Sequence, residues 1–345
     1  YPRLLDERCA LSLIVRKYSM SSSPQAIEAL ELVSDLQARF ICGLENVATG
    51  HGCPASFRKT EWLRNDGRHG GGNRFTAAVG SIFNRASVNV SQIHYGDEPE
   101  KKLGSATAIS TIIHPLNPHA PSVHMHISWT EMKNGTGYWR IMGDLNPSID
   151  HPQFKVAFQN TMQKAAPNQY KEATAQGDQY FFIPALSRHR GVAHFYLESY
   201  STEDHAADKT LARTFGESVI DAYVEILNQA LADYPEIAPK DTLAQLAYHT
   251  LYFFQVLTLD RGTTSGLLVH DQNDQGIMAS LPAMVDRGLL KSWQSKVVSP
   301  QDRLVGKLTE ALPASMPSPV TEEVKGLLAS TVRNHYRLYP EALEH

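Results

Sequence analysis

Four histidines fall within "HPLNPHAPSVHMHIS", residues 114 to 128, of a chain that has fifteen in all. On a β-strand, residues two apart share a face, so His124 and His126 project together, as do Ser122 and Ser128. Two adjacent imidazoles can hold one metal ion, exchange protons with a substrate, or line a polar half-exposed face. A second stretch, "SRHRGVAHFYLE", sets Arg190, Val192, His194, Tyr196 and Glu198 on one face of a regular strand. His194 would then join His124 and His126 as ligands to iron or copper; the same face without metal would bind anions and move protons. In "WRIMGDLNP", Asp144 precedes a proline turn, where it either caps the turn or stands in a pocket as a general base. In "LDRGTTSGLLV", Asp260 and Arg261 adjoin Gly262 at what reads as an approach from one strand to the next, and a structural ion pair is the simplest reading.

Other chemistries are disfavoured. The run "HGGGNR" lacks the Lys-Ser/Thr ending of a phosphate loop and the spacing of a dinucleotide fingerprint, so it reads as a flexible lid or tight turn. No G-x-S-x-G elbow, H-E-x-x-H helix or kinase signature is present.

A sheet must position these side chains. Between Ala106 and Tyr200 the runs "AISTIIH", "SVHMHISW", "GYWRIMGDL" and "VAHFYLESY" read as antiparallel strands, preceded by the alternating "RASVNVSQIHY". Residues 23 to 47 form an amphipathic helical pattern, as do "HPQFKVAFQNTMQKAA", the stretch from His205 to Tyr234 and two C-terminal segments. A further strand pair is expected around "YFFQVLTLDRGTTSGLLVHDQ" and "GIMASLP". With no repeat, low-complexity tract or long linker, one α+β domain over residues 1 to 345 is expected.

Composition narrows the partners. The chain has 345 residues, 42% hydrophobic and 20% charged, enough for a sizeable core. A net charge of -4 argues against nucleic acid, and no apolar run is long enough for a membrane span. Three cysteines, Cys9, Cys42 and Cys53, are too few for a disulfide framework and point to a reducing compartment. A cytoplasmic location is expected, or a mitochondrial or plastid one where a leader ahead of Tyr1 has been removed.

The glycine run, "IFNRASVNVS", "ISTIIHPLNPHAPSVHMHIS", "GDLNP", "DQYFFI" followed by "RG", "LTLDRGTTSGL" and "IMASLP" occur in one order. Together they resemble the oxygen-dependent coproporphyrinogen III oxidase family. The resemblance implies a large antiparallel sheet flanked by helices on both faces, a homodimer, and a cleft over the sheet for a small-molecule substrate. It implies oxidative decarboxylation of propionates to vinyl groups, coproporphyrinogen III to protoporphyrinogen IX in heme biosynthesis, with molecular oxygen and no organic cofactor. By the same resemblance His124 is a proton donor and Asp144 engages pyrrole nitrogens. Ser110 and His114 match an S-x-x-x-H-P pattern, while Arg190, Asp260 and Arg261 match further family blocks.

Departures from the family pattern are informative. His126 and Ser128 stand where the family has Asn-x-Arg, and Asp271 to Asn273 stand near its Gly-Gly-Arg clamp, so two guanidiniums are missing. Ala157, Gln159, Ala185 and Leu186 replace further histidine and arginine positions. Each carboxylate of a bound tetrapyrrole needs a cationic or multi-donor partner. Arg68, Arg74, Arg140 or Arg188 would have to take over, or the substrate is smaller and less acidic. The alternatives are therefore an iron- or copper-dependent enzyme acting on a smaller aromatic or amide-containing acid, and a non-catalytic tetrapyrrole-binding protein.

Overall fold

Ser23 accepts a hydrogen bond from the Ala26 amide and Pro24 presets the first helical φ, so helix α1 (Pro24–Gly50) starts where the chain supplies both. Leu30, Val33, Phe40 and Leu44 recur on its buried side. The computed structural model describes residues 18–77, 82–269 and 273–343. After α1 come β1 (Phe57–Leu63), β2 (Gly70–Ala77), β3 (Phe83–His94), β4 (Leu103–Pro115), β5 (Ser122–Met132) and β6 (Gly137–Asn146). Helices α2 (Pro152–Ala165) and α3 (Tyr170–Phe181) lead through the two-residue strands β7 (Phe182–Ile183) and β8 (Arg188–His189) to β9 (Ala193–Tyr200). The rest is mainly helical: α4 (His205–Asp233), α5 (Pro239–Thr258), α6 (Arg261–Val269), α7 (Asp274–Ile277), α8 (Arg287–Trp293), α9 (Gln301–Ala311) and α10 (Glu322–Leu338). A short pair, β10 (Met284–Val285) and β11 (Ser318–Pro319), ties this part together.

The large sheet runs β1-β2-β3-β4-β5-β6-β9, and every neighbouring pair is antiparallel. Alternation along β5 sorts its two faces. Val123, Met125, Ile127 and Trp129 enter a core shared with α1, α2 and α4. Gly216 permits the closest approach there, since a Cβ would stand 2.6 Å from Leu36 and 2.8 Å from Ile127. His124, His126 and Ser128 face the other way. That second face is overlaid by α5, whose residues from Tyr248 to Thr258 are all buried, and beyond it a second apolar cluster joins α5 to α8, α9 and α10. The α+β class and the two-sided flanking of the sheet are therefore as expected.

Three expectations are corrected. The strand pair anticipated around "YFFQVLTLDRGTTSGLLVHDQ" and "GIMASLP" is helical: the first segment forms α5 and α6, with residues 270–272 outside the described residues, and the second the end of α7 and a 3-10 turn at Met278–Ser280. A helix apolar all round has no polar stripe, so its sequence reads like a buried strand. The glycine run is no lid: after a turn at Asn65 to Gly67, all at positive φ, it enters β2. Gly71 and Gly72 lie hard against Trp62, where a Cβ would come within 2.4 Å of the Trp62 carbonyl oxygen and 2.8 Å of its Nε1 respectively. Arg190 and Val192 also precede β9, separated by Gly191 at φ +81°.

Candidate active site

Strand register builds the site. His124 pairs across to Ile112 on β4 and to Asp144 on β6, and Asp144 pairs on to His194 on β9. Two residues further along, His126 lies between Ser110 and Met142; two more, and Ser128 lies between Ala108 and Arg140. Side chains in these rows rise from the same face of the sheet.

At the first row the charges are closed in. Arg190 and Asp144 have no exposed surface. An Arg190 Nη2 donates to Asp144 Oδ2 at 2.9 Å and to His124 Nδ1 at 3.0 Å, while Nη1 donates to Gln255 on α5 at 2.6 Å. Asn146 Nδ2 donates to the same Asp144 oxygen at 2.6 Å. The rings of Phe181 and Tyr252 lie 4.5 and 5.0 Å from the guanidinium. Burial alone would push the Asp144 carboxyl up, but the Arg190 charge and the His124 ring hold it well below the usual carboxylate range. Asp144 Oδ1 accepts no hydrogen bond, yet lies 3.2 Å from His124 Nδ1.

Above the sheet lies a cleft of about 960 Å³, near the upper end of the roughly 300–1,000 Å³ found for ligand pockets. Its walls include Trp62, Ile112, Tyr196 and Tyr252. Four cations, Lys101, Lys102, Arg140 and Arg261, line it against two acids, Glu198 and Asp260. Burial, together with the Arg140 charge, pushes the His126 ring down to about 3, so this imidazole is neutral near pH 7. Its Nε2 meets Ser128 Oγ at 3.0 Å.

Of the residues singled out by sequence, Ser110, His124, His126, Asp260 and Arg261 line the cleft. Ser128 is buried on the same sheet face. Asp144 and Arg190 are not among the lining residues, so Asp144, expected to face a pyrrole nitrogen directly, instead stands behind His124. His114, expected in the site wall, is fully buried, donating from Nε2 to the Ser280 carbonyl at 3.2 Å with Nδ1 2.8 Å from Ser122 Oγ. His119 is half-buried, stacked on Tyr234 and 3.3 Å from Asp241, not solvated in its turn. Asp260 and Arg261 are partnered separately. Asp260 accepts from Tyr180 Oη at 2.9 Å and from the Thr263 amide at the start of α6, whereas Arg261 bonds Glu198 at 2.9 Å.

The His124, His126 and His194 metal centre is corrected. The only described group of three whose ligand atoms lie within 4.8 Å of one another is His69, Asp97 and Glu98, where Arg68 and Lys101 already pair with the carboxylates. His194 has both ring nitrogens engaged, Nδ1 by Asp178 at 2.8 Å and Nε2 by the Arg190 carbonyl at 2.8 Å. His194 is thus a positioning group for the Arg190 backbone.

Sequence reading missed Trp62, Asn89, Tyr180 and Tyr252. A signal existed for the cleft floor: in "RASVNVSQI", Ser87, Asn89 and Ser91 alternate with buried Ala86, Val88 and Val90. None marked Trp62, whose Nε1 donates to Asn89 Oδ1 at 3.1 Å.

Comparison with known proteins identifies relatives of the chain. The family profile for coproporphyrinogen III oxidase matches residues 28–311. The mitochondrial oxygen-dependent coproporphyrinogen-III oxidase of Rattus norvegicus is 28% identical over 283 residues, 75% of this chain and 62% of the rat protein. That of Homo sapiens is 26% identical, covering 73% and 59%. The oxygen-dependent coproporphyrinogen-III oxidase of Rickettsia akari is 28% identical, covering 67% and 85%. The chain thus spans about six tenths of the length of its mitochondrial relatives. The matched span holds the whole sheet, the cleft and the rows of His124, His126 and Arg140, and the chain belongs to the coproporphyrinogen III oxidase family.

Proposed function

We propose that the chain is an oxygen-dependent oxidoreductase that decarboxylates two of the four propionates of coproporphyrinogen III, yielding protoporphyrinogen IX in heme biosynthesis. The observation that carries this reading is His124 at the wall of a large, cation-rich cleft, backed by the buried Asp144–Arg190 pair. The relatives' names supply dioxygen as co-substrate. For each side chain, propionate, dioxygen and one proton give vinyl, carbon dioxide and hydrogen peroxide, so two electrons leave the substrate for dioxygen.

His124 handles the proton. With Nδ1 accepting from Arg190, the neutral ring carries its hydrogen on Nε2, the nitrogen without a protein partner. When the ring is doubly protonated, its Nδ1–H turns to the unfilled Asp144 Oδ1 at 3.2 Å and the Arg190 bond to that nitrogen is given up, so the proton passed to substrate is the one on Nε2. The carboxylate, held ionised by Arg190, stabilises the imidazolium without itself touching substrate. Asp144 and Arg190 act as positioning residues. Ser110 and His126 contribute to the floor, and Asp260, anchored by Tyr180, and Arg261 to the rim.

Purified protein given coproporphyrinogen III in air should consume oxygen and release vinyl-bearing product. Metal analysis of the same sample separates the alternatives: stoichiometric iron or copper without turnover would restore the metal-dependent reading. Tight porphyrin binding without oxygen uptake would leave a binding protein. A homodimer and a cytoplasmic setting belong to the same proposal, and light scattering tests the first. Among the described residues no helix is long and apolar enough to cross a membrane.

A further inference from the structure

Among the described residues, Arg140 is a cation with no answering charge. It rises from β6 into the cleft, half-buried, and its Nε is buried without a hydrogen-bond partner. It makes no ion pair with any described residue, and the acids of the cleft are taken: Glu198 by Arg261, Asp260 by Tyr180 and the Thr263 amide. His126 and Tyr196, the groups on which its charge is felt, offer no anion, because burial keeps the imidazole neutral and pushes the Tyr196 phenol up to about 12.

Of the other candidate arginines, Arg68 is 69% exposed and paired with Asp97, and Arg188 is exposed on β8. Arg74 stands in the row of Asn89, Ser110 and His126, and its Nε and Nη1 also lack partners among the described residues, but it is buried against Gly276, where a Cβ would stand 2.4 Å from its Nη1, and does not line the cleft. Across the strand from Arg140 is Ser128, one of the two positions where a family guanidinium is missing. A partly desolvated guanidinium without an acid is costly, and an arriving carboxylate matches its planar fork with two charge-assisted hydrogen bonds.

We propose that Arg140 binds a substrate carboxylate and so sets the enzyme's selectivity for polycarboxylic substrates. This rests on the tetrapyrrole reading and deepens it. Four residues of β6 separate Arg140 from Asp144, roughly 13 Å along the strand. A ligand that reaches both Arg140 and His124 must therefore be large and carry an acid remote from its reacting end. A single-ring acid can engage Arg140 but cannot reach His124 at the same time.

The test compares wild type with Arg140→Gln by calorimetric titration with two probes: coproporphyrin III, and benzene-1,2,4,5-tetracarboxylate, which has no pyrrole. Wild type should bind both, and Arg140→Gln should bind each at least tenfold more weakly with an unchanged melting temperature. Adding Ser128→Arg to that variant, returning a guanidinium from the facing strand, should recover most of the loss. If Arg140→Gln does not fold, Arg140→Lys serves, keeping the charge without the fork, with a weakening of threefold or more expected. Equal binding by wild type and variant overturns the proposal, as does failure of wild type to bind either probe. Binding of the benzene probe alone, lost in the variant, retains the Arg140 site while removing the tetrapyrrole reading.

Discussion

At the His124 row of the sheet, polar groups are answered from within the protein: Asp144 by Arg190, Arg190 by Gln255 as well, and His194 Nδ1 by Asp178. At the Arg140 row, four residues away, the guanidinium has solvent on one side and no acid partner among the described residues. On the proposed reading, the first arrangement orders the proton-handling ring and the second waits for an anion. A buried pair stays put because breaking it strands a charge, whereas an unpaired cation at a cleft wall costs less in water than it gains when a carboxylate arrives. One strand thus carries a positioning device at its end and a recognition device near its middle.

The largest expected effect comes from breaking the closed pair. Arg190→Leu leaves the buried Asp144 carboxylate without its guanidinium, and should cost about 3–5 kcal/mol of stability in denaturant unfolding, together with turnover. Arg190→Leu/Asp144→Leu should recover much of the stability and none of the activity. An unaltered unfolding midpoint in the single variant would mean that the two groups are not coupled. The pair also sets an acid limit. Because the Asp144 carboxyl is depressed in the fold, its stabilisation is present above the unfolded value near 3.9 and is lost as pH falls below it.

Removing the ring while keeping the pair isolates chemistry from scaffold. His124→Ala should lower turnover by about 10²–10⁴-fold, with porphyrin affinity little changed. Strong loss of affinity with normal turnover at saturation would make His124 a binding group.

Stability between pH 3 and 7 distinguishes the buried rings from solvated ones. Burial pushes His249 on α5 down to about 3, whereas the unfolded ring titrates near 6.5. The unfolded state therefore binds the extra proton first. Stability should be full above about pH 6.5 and fall as pH drops toward 3, with His249 contributing up to about 1.4 kcal/mol per pH unit. His249→Leu should flatten the slope by one proton, and an unchanged slope would show the ring to be charged in the fold.

The smallest effect is expected at the rim. Arg261 and Glu198 are 62% and 43% exposed, so Arg261→Ala should change stability by no more than about 1 kcal/mol. Its consequence should be seen in KM, and a large fall in kcat would place Arg261 nearer the reaction than its exposure indicates.

The sequence by itself determined the strands and their faces. In "SVHMHISW" the period of two commits His124, His126 and Ser128 to one side and Val123, Met125 and Ile127 to the other, because a pleated strand has no other arrangement. Block order was enough for the family. Period could not classify α5, whose buried circumference erases the helical stripe, nor the glycine run, whose meaning depends on Trp62 across the strand.

Tertiary structure alone decided which groups touch. His124 and Asp144 are twenty residues apart in sequence, and Arg190, from outside the sheet, reaches both through a turn at Gly191. The same folding engages both nitrogens of His194, which on sequence looked like a ligand, and leaves Arg140 without an acid. Periodicity fixes the side to which a residue points. Register, which depends on packing between distant segments, fixes what it meets.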